Sequence, residues 1–151
     1  MRVVVQRVTR AAVRVDGTTI AEIGVGALVL VGIAAGDSAE TVDATAAKLA
    51  ALRYFEDAEG RTNRDILDAG GAILLVSQFT LLADVRRGRR PGFSGAALPE
   101  VAEPLVRRFA DRLRGAGIDV ADGRFGATMA VELVNDGPFT VVIDSERDLA
   151  G

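Results

Sequence analysis

VVVQRVTRAAVRVDGTTIAEIGVGALVLVGIA, residues 3–34, decides the fold. Val3 to Val8 alternates and is rich in valine, the pattern of a half-buried strand. Ala12 to Val15 and Thr18 to Ile23 then flank Asp16-Gly17, a strong hairpin signal, because both turn positions tolerate positive φ. Ala27 to Ala34 is a continuous apolar run ending before Gly36, which predicts a strand buried on both faces.

Working outward, Asp37 stands three residues before Glu40, a capping-box spacing that predicts a helix with Val42, Ala46, Leu49 and Leu52 on its apolar stripe. Residues 53–71 hold the short apolar piece Tyr54-Phe55 and a polar turn from Asp57 to Arg61. Ala72 to Gln78 reads as a second buried strand, and 83–97 as irregular. A second helix is expected from about Pro99 to Arg114, with Val101, Leu105, Phe109 and Leu113 four apart. Pro104 is expected near its first turn, where a missing N–H costs little, and Gly115 and Gly117 end it. Ala127 to Val134 and Phe139 to Ile143 read as a final pair of strands around Asn135-Asp-Gly-Pro138. No repeat or linker interrupts residues 1–151. Strands outnumber helices and hairpins dominate, so the expected fold is one α+β domain. Its sheet is strongly curved, mainly antiparallel and barrel-like, with two main helices.

The composition narrows the chemistry. The chain has 151 residues, 49% of them hydrophobic, with no Cys, no His and a net charge of −3. Without cysteine there is no disulfide framework, thiol nucleophile or Cys-zinc site. Without histidine, a Ser-His-Asp or Cys-His hydrolase is excluded, since imidazole is the usual base near neutral pH. Catalysis must then use hydroxyls, carboxylates, backbone amides, the single Lys48 or a group on the substrate. Asp16, Asp57, Asp65, Asp68 and Asp84 lack metal-loop spacing, so no metal and no cofactor is expected. The longest apolar run, Ala27 to Ala35, falls far short of the ~20 residues of a membrane span. Residues 1–8 carry no signal-peptide pattern, so no membrane association and a cytoplasmic location are expected. Seventeen Arg against one Lys suits planar forks that bind phosphate or carboxylate, although a high-GC genome produces the same bias.

Three constellations could carry chemistry. Ser77-Gln78-Phe79-Thr80 ends a buried strand with two hydroxyls, an amide and an aromatic ring, where backbone N–H groups can form an oxyanion hole. The bland alternative is a polar strand end. In Asn135-Asp136-Gly137-Pro138 the first three residues are ordinary turn chemistry. The Gly-Pro step is less ordinary, since cis is disfavoured before proline by only about 0.5–1 kcal/mol, and glycine lets a ligand approach the backbone. Arg86, Arg87, Arg89 and Arg90 place four guanidiniums in five residues. Either they grip a few phosphates or they form a solvated charge run; the acidic total argues against coating long nucleic acid.

Taken together, these residues resemble the D-aminoacyl-tRNA deacylases of the bacterial and eukaryotic type. The likeness runs through Gln6-Arg7-Val8, Gly24-Val-Gly26, Phe55-Glu-Asp-Ala-Glu-Gly60 and Ser77-Gln-Phe-Thr-Leu81. It continues in Arg90-Pro91, Phe93-Ser94, Gly123-Arg-Phe-Gly126 with Met129, and Asn135-Asp-Gly-Pro138 before Thr140. The resemblance implies hydrolysis of the ester at a tRNA 3′ end that carries a D-amino acid or glycine. It implies a homodimer with active sites at the interface. One subunit presents Ser77, Gln78, Phe79 and Thr80, and the other inserts Gly137-Pro138 in cis, steadied by Arg7. It further implies that Met129, Phe93 and Asn135 bind the substrate's adenosine end, and that Arg86, Arg87, Arg89 and Arg90 meet tRNA phosphates. Gly92 and Phe139 depart from the commoner residues of that family. The reaction is expected to use either Thr80 as nucleophile or the substrate's own 2′-hydroxyl. Rival readings are a binding module without turnover, an editor with a trans Gly-Pro bond, and an interaction protein whose dimer is its purpose.

Overall fold

The computed structural model describes residues 1–149. Strand β1 (Arg2–Val15) reverses through Asp16 and Gly17, with φ of 50° and 76°, into β2 (Thr18–Ile23). Positive φ at both positions makes this the tight hairpin that Asp-Gly favours. β3 (Gly26–Gly32) returns antiparallel along the first half of β1, from Val8 opposite Gly26 to Arg2 opposite Gly32. One edge of β1 is thus shared by β3 and then β2. Helix α1 (Ala39–Ala51) crosses over to β6 (Ala72–Ser77), which is parallel to β3. On the way, β4 (Phe55–Glu56) and β5 (Thr62–Arg64) form a separate small ribbon. Helix α2 (Pro99–Gly115) crosses to β7 (Asp119–Asp122), parallel to β6. β8 (Ala130–Asp144) runs antiparallel along the other edge of β1, and the short α3 (Ser145–Asp148) follows it.

The sheet is antiparallel around β1 and parallel where helices make the connections, as crossover geometry requires. β2 also lies against β6 and β7, so the sheet curls into a barrel-like, α+β form. Alternation along the central strands feeds two cores. Val29, Val31, Ile73 and Leu75 face the helices with Leu49, Phe109 and Leu113, whereas Leu28, Leu74 and Val76 point inside the curl with Val8 and Val13. Period-two alternation with both faces apolar is what the unbroken hydrophobic runs of β3 and β6 encode. Among the described residues no helix is long and apolar enough to cross a membrane.

Four expectations need correction. Ser38, not Asp37, caps α1: its hydroxyl accepts from the Thr41 amide. Asp37 is occupied elsewhere, accepting from the Ala34 amide at 2.6 Å and the Met1 nitrogen at 2.7 Å. Pro104 lies inside α2, whose first residue is Pro99, and the helix turns its buried stripe to Ala102, Phe109, Ala110 and Leu113 rather than to Val101. Small alanines close to the sheet outweigh the larger but solvent-facing Val101, which is 45% exposed. Finally, residues 130–144 are one strand rather than a strand pair, because both halves pair with β1 in the same direction.

Phe109→Ala is expected to lower stability by about 3–5 kcal/mol, read as a shift of the urea midpoint. Val101→Ala, on the exposed side of the same helix, is expected to change it by less than about 0.5 kcal/mol.

Candidate functional site

A cavity of about 590 Å³ lies beyond the carboxyl ends of the parallel strands β3 and β6, roofed by the start of α2 and by the segment after β7. Crevices of this kind form where parallel strands hand over to their connections. Val76 and Ser77 reach it from β6, and Gln78 and Phe79 follow at its rim. Phe93 and Met129 also line it. Phe79 is 57% exposed and meets Phe93 edge-to-face at 5.1 Å between ring centres. An apolar wall with an aromatic pair at its mouth suits a flat ring.

Polar groups gather at one end. The Gln78 amide N–H donates to Val31 O at 2.7 Å, which ties the strand end to β3. A single 3₁₀ turn, Phe79–Leu82, starts immediately afterwards. The Leu81 amide N–H donates to Gln78 O, whereas the N–H groups of Phe79 and Thr80 have no acceptor among the described residues. The side chain of Gln78 donates to the Thr80 hydroxyl. Thr80 itself is exposed, and among the described residues no carboxylate or lysine bonds to its hydroxyl. These groups can receive a developing negative charge, but nothing here draws a proton from Thr80.

Gly137-Pro138 forms a second locus. Gln6 pairs with Thr140 and Val8 with Asn135, so Arg7 alone faces Asp136, Gly137, Pro138 and Phe139 across a wide bulge. The Gly137–Pro138 peptide is cis, and both residues are exposed. Arg7, only 6% exposed, fills the space beneath. Its guanidinium donates to Tyr54 O at 2.8 Å and Asp136 O at 3.1 Å, and lies 4.9 Å from the centre of the Phe139 ring. Glu56 and Asp136 carboxylates stand 3.8 and 3.5 Å from it. Asn135 secures the other side, donating to Arg7 O at 2.9 Å and Phe139 O at 3.0 Å. Gly137 has φ of 136°, and a Cβ there would come within 2.9 Å of the Phe139 nitrogen and 3.1 Å of the Arg7 guanidinium. The position therefore demands glycine.

The two loci are separate within one chain. None of Asn135, Gly137 and Pro138 lines the cavity. Asn135, which the resemblance groups with Met129 and Phe93, spends its amide hydrogens on backbone carbonyls instead. The arginine loop is held at its base by Asp84 and Gly92, which exchange backbone hydrogen bonds at 2.7 and 2.8 Å. Arg86 is neutralised there: its guanidinium grips Asp84 with two hydrogen bonds of 2.9 and 2.7 Å. That fork holds the Asp84 carboxyl well below the usual carboxylate range. Arg87, Arg89 and Arg90 are exposed without a carboxylate partner among the described residues. Tyr54, missed as a partner of Arg7, is fully buried; burial and then Asp65 push its phenol above its ordinary value, so it stays protonated.

A model of the D-Tyr-tRNA(Tyr) deacylase family matches residues 4–144. The chain is 58% identical over 147 residues to a D-aminoacyl-tRNA deacylase of Symbiobacterium thermophilum, covering 97% of each chain. It is 57% identical over 145 residues to one of Roseiflexus castenholzii, covering 96% of this chain and 92% of that one. Among solved structures, one described as the c-Myc DNA unwinding element binding protein superposes with a TM-score of 0.89 at 40% identity, over 95% of this chain and 98% of that one. A probable eukaryotic D-amino acid tRNA deacylase gives 0.83 at 20% identity, over 94% and 97%, a likeness of fold.

Arg7→Lys keeps the charge but replaces a planar fork with a single point donor that cannot span two carbonyls and stack on Phe139. It is expected to cost about 1–3 kcal/mol in urea unfolding and to speed amide exchange selectively over 136–139.

Proposed function

The chain belongs to the D-Tyr-tRNA(Tyr) deacylase family, and on that premise we propose that it hydrolyses the ester of D-aminoacyl-tRNA, releasing the free amino acid and intact tRNA. The observation that carries this reading is the pair of unpartnered amides at Phe79, which lines an apolar cavity without a base, and at Thr80 next to it. In the proposed reaction the terminal adenosine occupies the cavity against Met129 and the Phe79–Phe93 pair. Water attacks the ester carbonyl carbon. The oxyanion accepts hydrogen bonds from the Phe79 and Thr80 amides, and the bond to the ribose 3′-oxygen breaks as that oxygen takes a proton. The neighbouring 2′-hydroxyl of the substrate assists the water, because the Thr80 hydroxyl has no activating partner. An aminoacyl ester is already labile, so holding the groups in place supplies much of the acceleration.

Selectivity by handedness follows from the second locus. We propose a homodimer in which each copy lends its Gly137-Pro138 to the other's cavity. The exposed Gly-Pro segment, whose glycine presents bare backbone and which Arg7 and Asn135 stiffen, supports this assignment. A rigid backbone wall beside the substrate Cα accepts hydrogen and clashes with a side chain, so L-residues are refused without any reading of side-chain identity. Glycine carries hydrogen on both sides, and glycyl-tRNA is therefore a further substrate. Arg87, Arg89 and Arg90 meet tRNA phosphates, while Arg86 serves Asp84. Residues 1–151 act as a single domain in the cytoplasm, where charged tRNA is found.

A binding module without turnover is favoured by one observation, the 40% identity to a protein described as binding a DNA element. It predicts salt-sensitive binding and no ester cleavage. With D-tyrosyl-tRNA and L-tyrosyl-tRNA side by side, the D-ester is expected to disappear at least about 100-fold faster, equivalent to about 2.8 kcal/mol of clash. No cleavage of either ester above the buffer rate would favour the binding module. Thr80→Val is expected to retain activity within about tenfold. A near-complete loss with substrate binding intact would instead make Thr80 the nucleophile.

A further inference from the structure

We propose that a second cleft, adjoining the cavity, holds the phosphate that joins the substrate's terminal nucleotide to the one before it; this rests on the deacylase reading. The cleft, about 280 Å³, lies between β6, α2 and residues 122–125. It shares Ser77, Val106 and Phe125 with the cavity, so the two adjoin along that wall, close enough for one nucleotide chain to reach both. Its walls carry Arg107, Arg114 and Arg124 against Glu103 and Asp122, three guanidiniums to two carboxylates, on a chain whose total charge is −3.

The three arginines divide by their partners. Arg114 donates to Val120 O at 3.0 Å and pairs with Asp122 and Asp111, so it is committed to the fold and cancels Asp122. Arg107 meets Glu103 at 3.7 Å across one turn of an exposed helix face, a weak contact that a phosphate can displace. Arg124 has no carboxylate within salt-bridge distance among the described residues. A fork held only by a weak surface contact, Arg107 of α2, thus faces one without a carboxylate among the described residues, Arg124 after β7. A phosphodiester offers each fork two acceptor oxygens and fixes the direction in which the nucleic acid leaves the cavity. Among the described residues, the cavity's own lining carries no arginine or lysine.

The test compares two D-tyrosyl esters, one of adenosine, which lacks a phosphate, and one of the trinucleotide cytidylyl-cytidylyl-adenosine. The double variant Arg107→Gln/Arg124→Gln is expected to lose about tenfold in kcat/KM on the trinucleotide ester, mainly through KM. Its salt dependence should be shallower, its rate on the adenosine ester unchanged and its melting temperature that of the parent. Equal losses on both esters, or no loss on the trinucleotide, overturn the proposal. Should the parent protein cleave neither ester, the deacylase reading fails on its own. Direct binding of the uncharged trinucleotide then decides the cleft: a roughly tenfold weaker Kd in the double variant supports it, and equal Kd values refute it.

Discussion

A positive charge buried under a strand that has lost its register is the constraint on which the site depends. Left alone, four residues facing one neighbour would have no fixed path, because the ladder that normally sets register is interrupted. Arg7 replaces the ladder. Its fork reaches two carbonyls from distant parts of the chain, Tyr54 and Asp136, while its flat face lies by Phe139. A buried guanidinium is tolerable only with such partners, so the contacts that satisfy the charge are also those that shape the bulge. Three segments, 7, 54–56 and 136–139, are locked into one arrangement.

The cavity works by a different economy of means. It offers no imidazole, thiol or lysine, and its aromatic pair and valine walls provide shape rather than reactivity. In the proposed reaction the polar work falls to the point where β6 stops and a tight turn starts. There the backbone has two N–H groups without an acceptor among the described residues. Turning a strand end into a turn is what strips those amides of partners, so on the proposed reading the oxyanion donors come from the fold's own geometry. Such fixed dipoles need no reorganisation when charge appears near them.

Much of this is legible in residues 3–34 and in the two short motifs. The Asp16-Gly17 hairpin and the doubly buried β3 follow from turn chemistry and unbroken hydrophobicity. So does the cluster at 77–79, since a polar tail on an apolar strand marks where the strand surfaces. What stays hidden is whatever depends on partners remote in sequence. Asn135-Asp-Gly reads locally as a turn, and only the continuous pairing of both flanks with β1 makes it a bulge. Asp37 has the right spacing to cap α1, yet the Met1 nitrogen and the Ala34 amide claim its oxygens and Ser38 takes over. Val101 fits a four-residue spacing, but which side of α2 meets the sheet is set by where small residues allow close approach. Asp84 cancels Arg86 through a contact two residues away that charge counting along the loop passes over.

The arrangement around β1 also bears on how the protein is made. β1 emerges before the strands that pair with it, and β2 and β3 can zip onto it at once because they follow directly. Its other edge is claimed by β8, more than a hundred residues later. Until that last strand appears, a fourteen-residue edge with unpaired amides and carbonyls stands open to any passing strand. Arg2 and Arg10, exposed along it, and the half-buried Arg14 repel a like-charged intruder during this interval.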